Sequence, residues 1–136
     1  MMKKFSLSLF FGFITNNIVG ALVAMFILNP LTQQMMSKTA RKQGELEMPS
    51  LLAGYFMLTL IMVIAYPYFK VKAGWLKRGA IWGVVSGGMV FLSGYLIIAG
   101  WSILPPKAML IAGIGDISST LATGIVIAYF YRCNEN

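Results

Sequence analysis

The chain has 136 residues, of which 58% are hydrophobic and only 11% are charged. Soluble domains carry about 25% charged residues, and a globule of this size could not hide so much apolar surface from water. The formal net charge is +7 and histidine is absent. The composition therefore predicts an integral membrane protein and argues against haem, zinc and acid–base chemistry that depends on histidine.

Four apolar runs are long enough to cross a bilayer as helices, which takes roughly 20 residues each. The runs cover about residues 5–28, 51–69, 79–101 and 107–131. They fill the chain and leave no room for a soluble domain. The sequence therefore predicts an all-α, four-helix transmembrane bundle that forms a single integral membrane domain over residues 1–136.

The first run carries small or polar residues at a spacing of four, at Gly12, Asn16 and Gly20. Residues four apart share one face of a helix, and small side chains on that face let helices approach closely in lipid. We therefore expect this face to pack against another helix. The run also exceeds the roughly 7–15 apolar residues of a signal peptide, so we interpret it as a retained anchor.

The longest connection, residues 31–48, follows Pro30. Its pattern is consistent with a short amphipathic helix on the outer surface, with a continuation of the first helix beyond a kink at Pro30, or with a solvated loop.

Basic residues predict the orientation, because positively charged connections stay in the cytoplasm. Seven of them lie on one side of the predicted spans and four on the other. The seven are Lys3, Lys4, Lys70, Lys72, Lys77, Arg78 and Arg132, and the four are Lys38, Arg41, Lys42 and Lys107. Both termini are therefore predicted to be cytoplasmic, as in a multi-pass protein of the bacterial inner membrane. Since these residues flank apolar runs, we expect membrane lipids as their partners and no nucleic acid.

The third run carries a second stripe of small residues, at Gly79, Gly83 and Gly87. Such a stripe can hold the helices of one chain together, which is its common use, or it can form a dimer interface. Both interpretations are open at this point.

The fourth run contains a single acid, Asp116, and an aspartate at the centre of a spanning helix costs roughly 2.5–3.5 kcal/mol. A helical rise of about 1.5 Å per residue puts Asp116 and Asn16 at similar depths. We therefore predict a polar midplane site in which Asp116 meets Asn16 and Asn17, with Ser119 and Thr120 one turn away. Such a site would bind a cation, a proton or a polar ligand, or it would only fix the helix arrangement through an Asp–Asn hydrogen bond.

Residues for catalysis are missing from the predicted spans. Histidine is absent, Cys133 lies beyond the last run, and Asp116 has no second carboxylate beside it. Nucleophilic and acid–base catalysis need such partner groups. We therefore expect no enzyme activity, no metal site and no cofactor.

Three segments of the second half resemble small bacterial four-helix inner-membrane proteins that are grouped as domains of unknown function. The segments are GWLKRGAIWG at 74–83, MLIAGIGD at 109–116 and TGIVIAY at 123–129. In that group, a glycine-patterned third helix precedes a fourth helix with a single acid or amide. Ile117 and Ser118 stand where aromatic residues often follow the acid. The resemblance implies the architecture and assigns no activity.

Two hypotheses for function follow from these patterns. In the first, the chain is a small transporter or channel-like protein in which Asp116 is the ion- or ligand-sensitive residue. It would work as a homo-oligomer, since four helices enclose little space. In the second, the chain is a non-catalytic accessory or assembly subunit, whose polar residues fix the packing while a small-residue stripe docks a larger membrane protein.

Overall fold

The computed structural model describes residues 2–36 and 47–132. Its helices are α1 (Met2–Val23), α2 (Asn29–Met36), α3 (Met48–Ala65), α4 (Trp75–Gly87), α5 (Ser93–Trp101) and α6 (Pro106–Tyr131). A π-helical segment, Ala24–Leu28, joins α1 to α2, and a second, Gly88–Leu92, joins α4 to α5. No strand occurs in the described ranges, so the prediction of an all-α chain is confirmed there.

Four runs of helix are long and apolar enough to cross a membrane, which confirms their predicted number. They are Met2–Thr32, Met48–Tyr68, Trp75–Gly100 and Pro106–Tyr131, and we call them spans one to four. Span one is longer than predicted at both ends, and span three begins four residues earlier than predicted.

Span one continues through Pro30 into α2. A proline ring inside a helix clashes with the carbonyl group four residues earlier, and that carbonyl belongs here to Phe26 in the first π-helical segment. The wider π turn makes room for the ring. Of the three structures predicted for residues 31–48, the continuation of the helix holds as far as Met36, and residues 37–46 lie outside the described ranges.

Span four is the central helix. In its most apolar stretch 44% of the residues are buried, against 22–28% in the other three spans. Helix α6 packs closely against α1 on one side and against α4 and α5 on the other, whereas α3 packs mainly on α1. Residues of span four are therefore the ones best shielded from the surroundings.

The helices on either side of α6 run antiparallel to it. A Cβ atom built on Gly12 would lie 3.6 Å from Thr123, and one built on Gly20 would lie 3.8 Å from Ser119. On the other side, Gly79 of α4 lies beside Ala128 of α6, and Gly87 lies beside Ile117. The start of α1, the start of α4 and the end of α6 therefore lie at the same end of the bundle.

Candidate functional site

The glycine stripe of α4 lies against the backbone of α6. A Cβ atom at Gly79 would come within 2.6 Å of the Ala128 side chain, and one at Gly83 within 2.9 Å of the Leu121 nitrogen. Gly87 makes a similar approach one turn further on. These distances are too short for any side chain, so glycine is what allows the two helices to touch. The stripe thus faces the interior of its own chain.

The stripe of α1 faces α3 as well as α6. A Cβ atom at Gly12 would lie 3.2 Å from Cγ2 of Thr59, and one at Gly20 would lie 3.2 Å from the hydroxyl oxygen of Tyr55. Asn16, between the two glycines, is fully buried. This face of α1 therefore lines the interior at the level of the predicted polar site.

Asp116 lies in this interior and is only 6% exposed. Its Oδ2 accepts a hydrogen bond of 2.7 Å from the hydroxyl group of Tyr95 in α5. The hydroxyl oxygen of Tyr55 in α3 lies against Gly20 beside Ser119, because a Cβ atom built on Gly20 would be 3.2 Å from that oxygen and 3.8 Å from Cβ of Ser119. We call Asp116, Tyr95 and Tyr55 the Asp116 site, and three different spans build it.

The structure shows no hydrogen bond from Asn16 or Asn17 to Asp116 in the described residues. Asn16 instead donates through Nδ2 to Oγ1 of Thr59, at 3.3 Å, and Asn17 donates to the carbonyl oxygen of Phe13 in its own helix, at 2.8 Å. Counting residues gives the depth of a side chain and not its direction or reach. A tyrosine hydroxyl extends further from its helix than an asparagine amide, and Tyr95 takes the place assigned to Asn16.

Hydroxyl groups follow Asp116 along the buried face of α6, on Ser119, Thr120 and Thr123, and all three residues are fully buried. Each donates its hydrogen to a carbonyl oxygen of its own helix at 2.8–2.9 Å. A hydroxyl group has one donor hydrogen and two acceptor lone pairs. Once its hydrogen is used within the helix, it presents only lone pairs to the interior.

Two buried polar atoms in the described ranges have no hydrogen-bond partner: Oδ1 of Asn16 and Oγ of Ser8. Both residues are fully buried, and leaving a buried polar group unsatisfied costs about 1–3 kcal/mol. Asn16 Oδ1 is an acceptor. Together with the hydroxyl lone pairs, it adds an acceptor to the interior.

Both π-helical segments pack against span four just before Asp116. A Cβ atom at Gly115 would lie 2.6 Å from the Leu28 side chain, and one at Gly113 would lie 3.1 Å from Cα of Leu92. Leu28 and Leu92 are the last residues of the two segments. Single π turns inside α-helices are frequent at functional sites, and here they lie on two helices that flank the same carboxyl group.

The second π-helical segment helps to direct Tyr95 toward Asp116. Inward residues of span three recur at a spacing of four, and this series is Gly79, Gly83, Gly87, Phe91 and Tyr95. At 3.6 residues per turn, such a series drifts by about 40° at each step, which would carry Tyr95 off the interior face. The π turn at Gly88–Leu92 holds more residues per turn, so each residue rotates less around the helix axis and the drift is smaller there.

Carbonyl groups near the π-helical segments receive hydrogen bonds from side chains. Thr32 donates to the carbonyl oxygen of Leu28 at 2.8 Å, and Ser93 donates to that of Met89. Because lipid offers no donor for a freed carbonyl, these hydroxyl groups satisfy backbone acceptors in an apolar setting. Ser93 is exposed, so it supports the helix and does not line the Asp116 site.

The opposite end of the interior, which we call the aromatic end, consists of Met62, Tyr66, Arg78, Trp82 and Ile127. Met62, Tyr66 and Ile127 are 0–2% exposed. Arg78 donates from Nε to the hydroxyl oxygen of Tyr66 at 3.0 Å, and Trp82 donates from Nε1 to the carbonyl oxygen of Met62 at 3.2 Å. This end is filled by large side chains and closes the interior there.

Sequence reasoning missed Tyr55 and Tyr95 as site residues. Tyrosines of membrane helices gather at the two bilayer interfaces, and most tyrosines of this chain lie near span ends. Tyr55 lies seven residues after Met48 and Tyr95 lies five residues before Gly100, so both stand about 8–10 Å inside their spans. That position is the signal that could have identified them.

No family model, curated protein or solved structure matches the chain. Within the ranges that the structure describes, no three histidine, cysteine, aspartate or glutamate residues are grouped to hold a metal ion. The function of the protein must therefore be inferred from the chemistry of its own residues, above all those of the Asp116 site.

Proposed function

We propose that this protein is a small membrane transport protein in which Asp116 binds the transported cation or proton. The observation that carries the proposal is the hydrogen bond from Tyr95 to the buried carboxyl group, within four long apolar helices. Acidic residues inside membrane helices are costly and commonly mark ion or proton pathways. Asp116 is the only acid within the four spans.

The surroundings of Asp116 favour a cation over an anion. The hydroxyl groups of Ser119, Thr120 and Thr123 present lone pairs, and Oδ1 of Asn16 is an unpartnered acceptor. Oxygen lone pairs coordinate hard cations and accept hydrogen bonds from protonated groups.

The proposed setting is the bacterial inner membrane, with both termini in the cytoplasm. It is supported by the seven basic residues at the end of the bundle where α1 and α4 begin, since positively charged segments stay inside. Asp116 lies ten residues after Pro106 and fifteen before Tyr131, about 15 and 22 Å along the helix. The site is therefore nearer the outer face, and the aromatic end closes the route to the cytoplasm in this conformation.

The proposal is tested by flux measurements on purified protein in liposomes, with proton-, Na⁺- and K⁺-sensitive dyes. Asp116→Asn keeps the shape of the side chain and removes its charge, so we expect it to abolish flux of the transported ion. Tyr95→Phe removes one hydrogen bond to the carboxyl group, worth about 1 kcal/mol, and we expect flux to fall about fivefold.

Tyr68→Phe is the matched control, because Tyr68 is 81% exposed and lies outside the site; its flux should equal that of the unmodified protein. Equal flux with and without the Asp116 carboxyl group would overturn the proposal, as would the absence of flux for all three ions in the unmodified protein.

A further inference from the structure

A groove of about 290 Å³ lies on the side of the bundle, on the surface that would face lipid and away from the Asp116 site. Its lining is almost wholly apolar and includes Phe11, Thr15, Trp75, Val126, Tyr129 and Phe130. The rings of Phe11 and Phe130 stack at 5.5 Å, and those of Trp75 and Tyr129 meet edge to face at 5.9 Å. These ring contacts hold the aromatic side chains that line the groove in place.

Arg132 lies beside the aromatic side chains of the groove. Its Cζ is 3.9 Å from the centre of the Tyr129 ring and 5.7 Å from that of Trp75. At these distances the guanidinium group makes cation–π contacts with both rings. The N–H donors lie in the plane of that group, in a fork that matches two oxygens of a phosphate.

The groove follows the direction of the helices, because it lies between α1 and α6. In a bilayer those helices cross from one face to the other, so the groove runs parallel to lipid acyl chains. Arg132 lies at the end of the groove where α6 finishes. An apolar groove of this direction, with positive charge at its polar end, is complementary to an anionic lipid.

We propose that this groove binds one anionic glycerophospholipid, with an acyl chain along Phe11 and Val126 and the phosphate group at Arg132. The lipid comes from the leaflet on the side of the membrane where both termini lie, which is the proposed cytoplasmic side. Anionic headgroups there attract each basic residue by about 1 kcal/mol. The site is independent of ion binding at Asp116.

The test uses the full chain in a mild detergent and native mass spectrometry, with phosphatidylglycerol and phosphatidylcholine of identical acyl chains. We expect one phosphatidylglycerol per chain, retained about fivefold more than phosphatidylcholine. Arg132→Gln should remove that preference, whereas Lys107→Gln, at the opposite end of the bundle, should keep it. Val126→Trp fills the groove and should lower the retention of both lipids.

Equal retention of the two lipids by the unmodified chain would overturn the proposal, and so would a preference that survives Arg132→Gln. A second copy of the chain that is lost in Val126→Trp would also overturn it, because the groove would then be an interface between copies. Arg132 is exposed, so its replacement tests the charge without disturbing the packed interior, and circular dichroism checks that the helices remain.

Discussion

The two halves of span three pack differently. The inward positions of the first half are Gly79, Gly83 and Gly87, which press against the α6 backbone. The inward series continues in the second half with the large side chains of Phe91 and Tyr95. The glycine half adjoins the aromatic end, and the other half carries the hydroxyl group that binds Asp116. Because helices in lipid gain stability mainly from close contact, the first half supplies most of the packing. The second half contributes the tyrosine hydroxyl group that reaches the carboxyl group of Asp116.

Replacing one glycine in each half tests this difference most strongly. A Cβ atom at Gly83 would overlap the α6 backbone, and forcing extra atoms into a packed interior costs about 1–3 kcal/mol. We expect Gly83→Ala to lower the free energy of unfolding by at least that amount, measured by denaturant titration in mixed micelles.

Gly94→Ala is the control on the same span, since nothing lies within 4 Å of the new atom. Alanine has the higher helix propensity, so this variant should be as stable as the unmodified chain or slightly more so. Similar losses in the two variants would mean that contact with the α6 backbone does not account for the effect of Gly83→Ala.

A smaller effect is expected at the aromatic end. Arg78→Gln removes the hydrogen bond to Tyr66 and a cation–π contact of 5.2 Å, each worth about 1 kcal/mol or less. We expect a loss of about 1 kcal/mol in the free energy of unfolding by the same titration. Lys77→Gln removes an exposed charge one residue away and should change stability by less than about 0.5 kcal/mol. Equal losses would show that the contacts of Arg78 contribute nothing beyond its charge.

The smallest effect concerns Asn16 and Thr59. Their hydrogen bond is long, at 3.3 Å. Thr59 already donates its hydroxyl hydrogen to the backbone carbonyl oxygen of Tyr55 in its own helix. A double-mutant cycle with Asn16→Ala and Thr59→Val should give a coupling energy near the average of about 0.6 kcal/mol for membrane proteins.

The same cycle with Tyr95→Phe and Asp116→Asn should give a larger value, toward about 1.7 kcal/mol. A larger coupling energy for Asn16 and Thr59 than for Tyr95 and Asp116 would contradict this expectation. It would mean that the hydrogen bond to Asp116 is not the strongest polar contact of the interior.

The number and type of the long helices could be predicted because apolar length alone decides them. The sequence leaves the end of span one open between three alternatives, since a proline inside a helix either ends it or kinks it. Pro30 is tolerated because a π turn precedes it.

Asp116 was identified from its type and depth, and the structure places it in the interior with Ser119 and Thr120. Its partner was not identified, because helix rise fixes the level of Asn16 and leaves the angle around the axis open. The π turn before Tyr95 offsets part of the rotation that would carry this side chain off the interior face. The backbone geometry of span three therefore helps to decide which side chain hydrogen-bonds to Asp116 in span four.

The segment Gly88–Leu92 has a consequence for insertions and deletions. In a continuous α-helix, the loss of one residue turns every later side chain by about 100° around the axis. A π turn holds one residue more than an α turn, so a deletion within Gly88–Leu92 can convert it to α geometry and leave Tyr95 facing Asp116. The same deletion within Trp75–Gly87 would turn the glycine stripe away from α6, so tolerance to changes in length differs between adjacent parts of one helix.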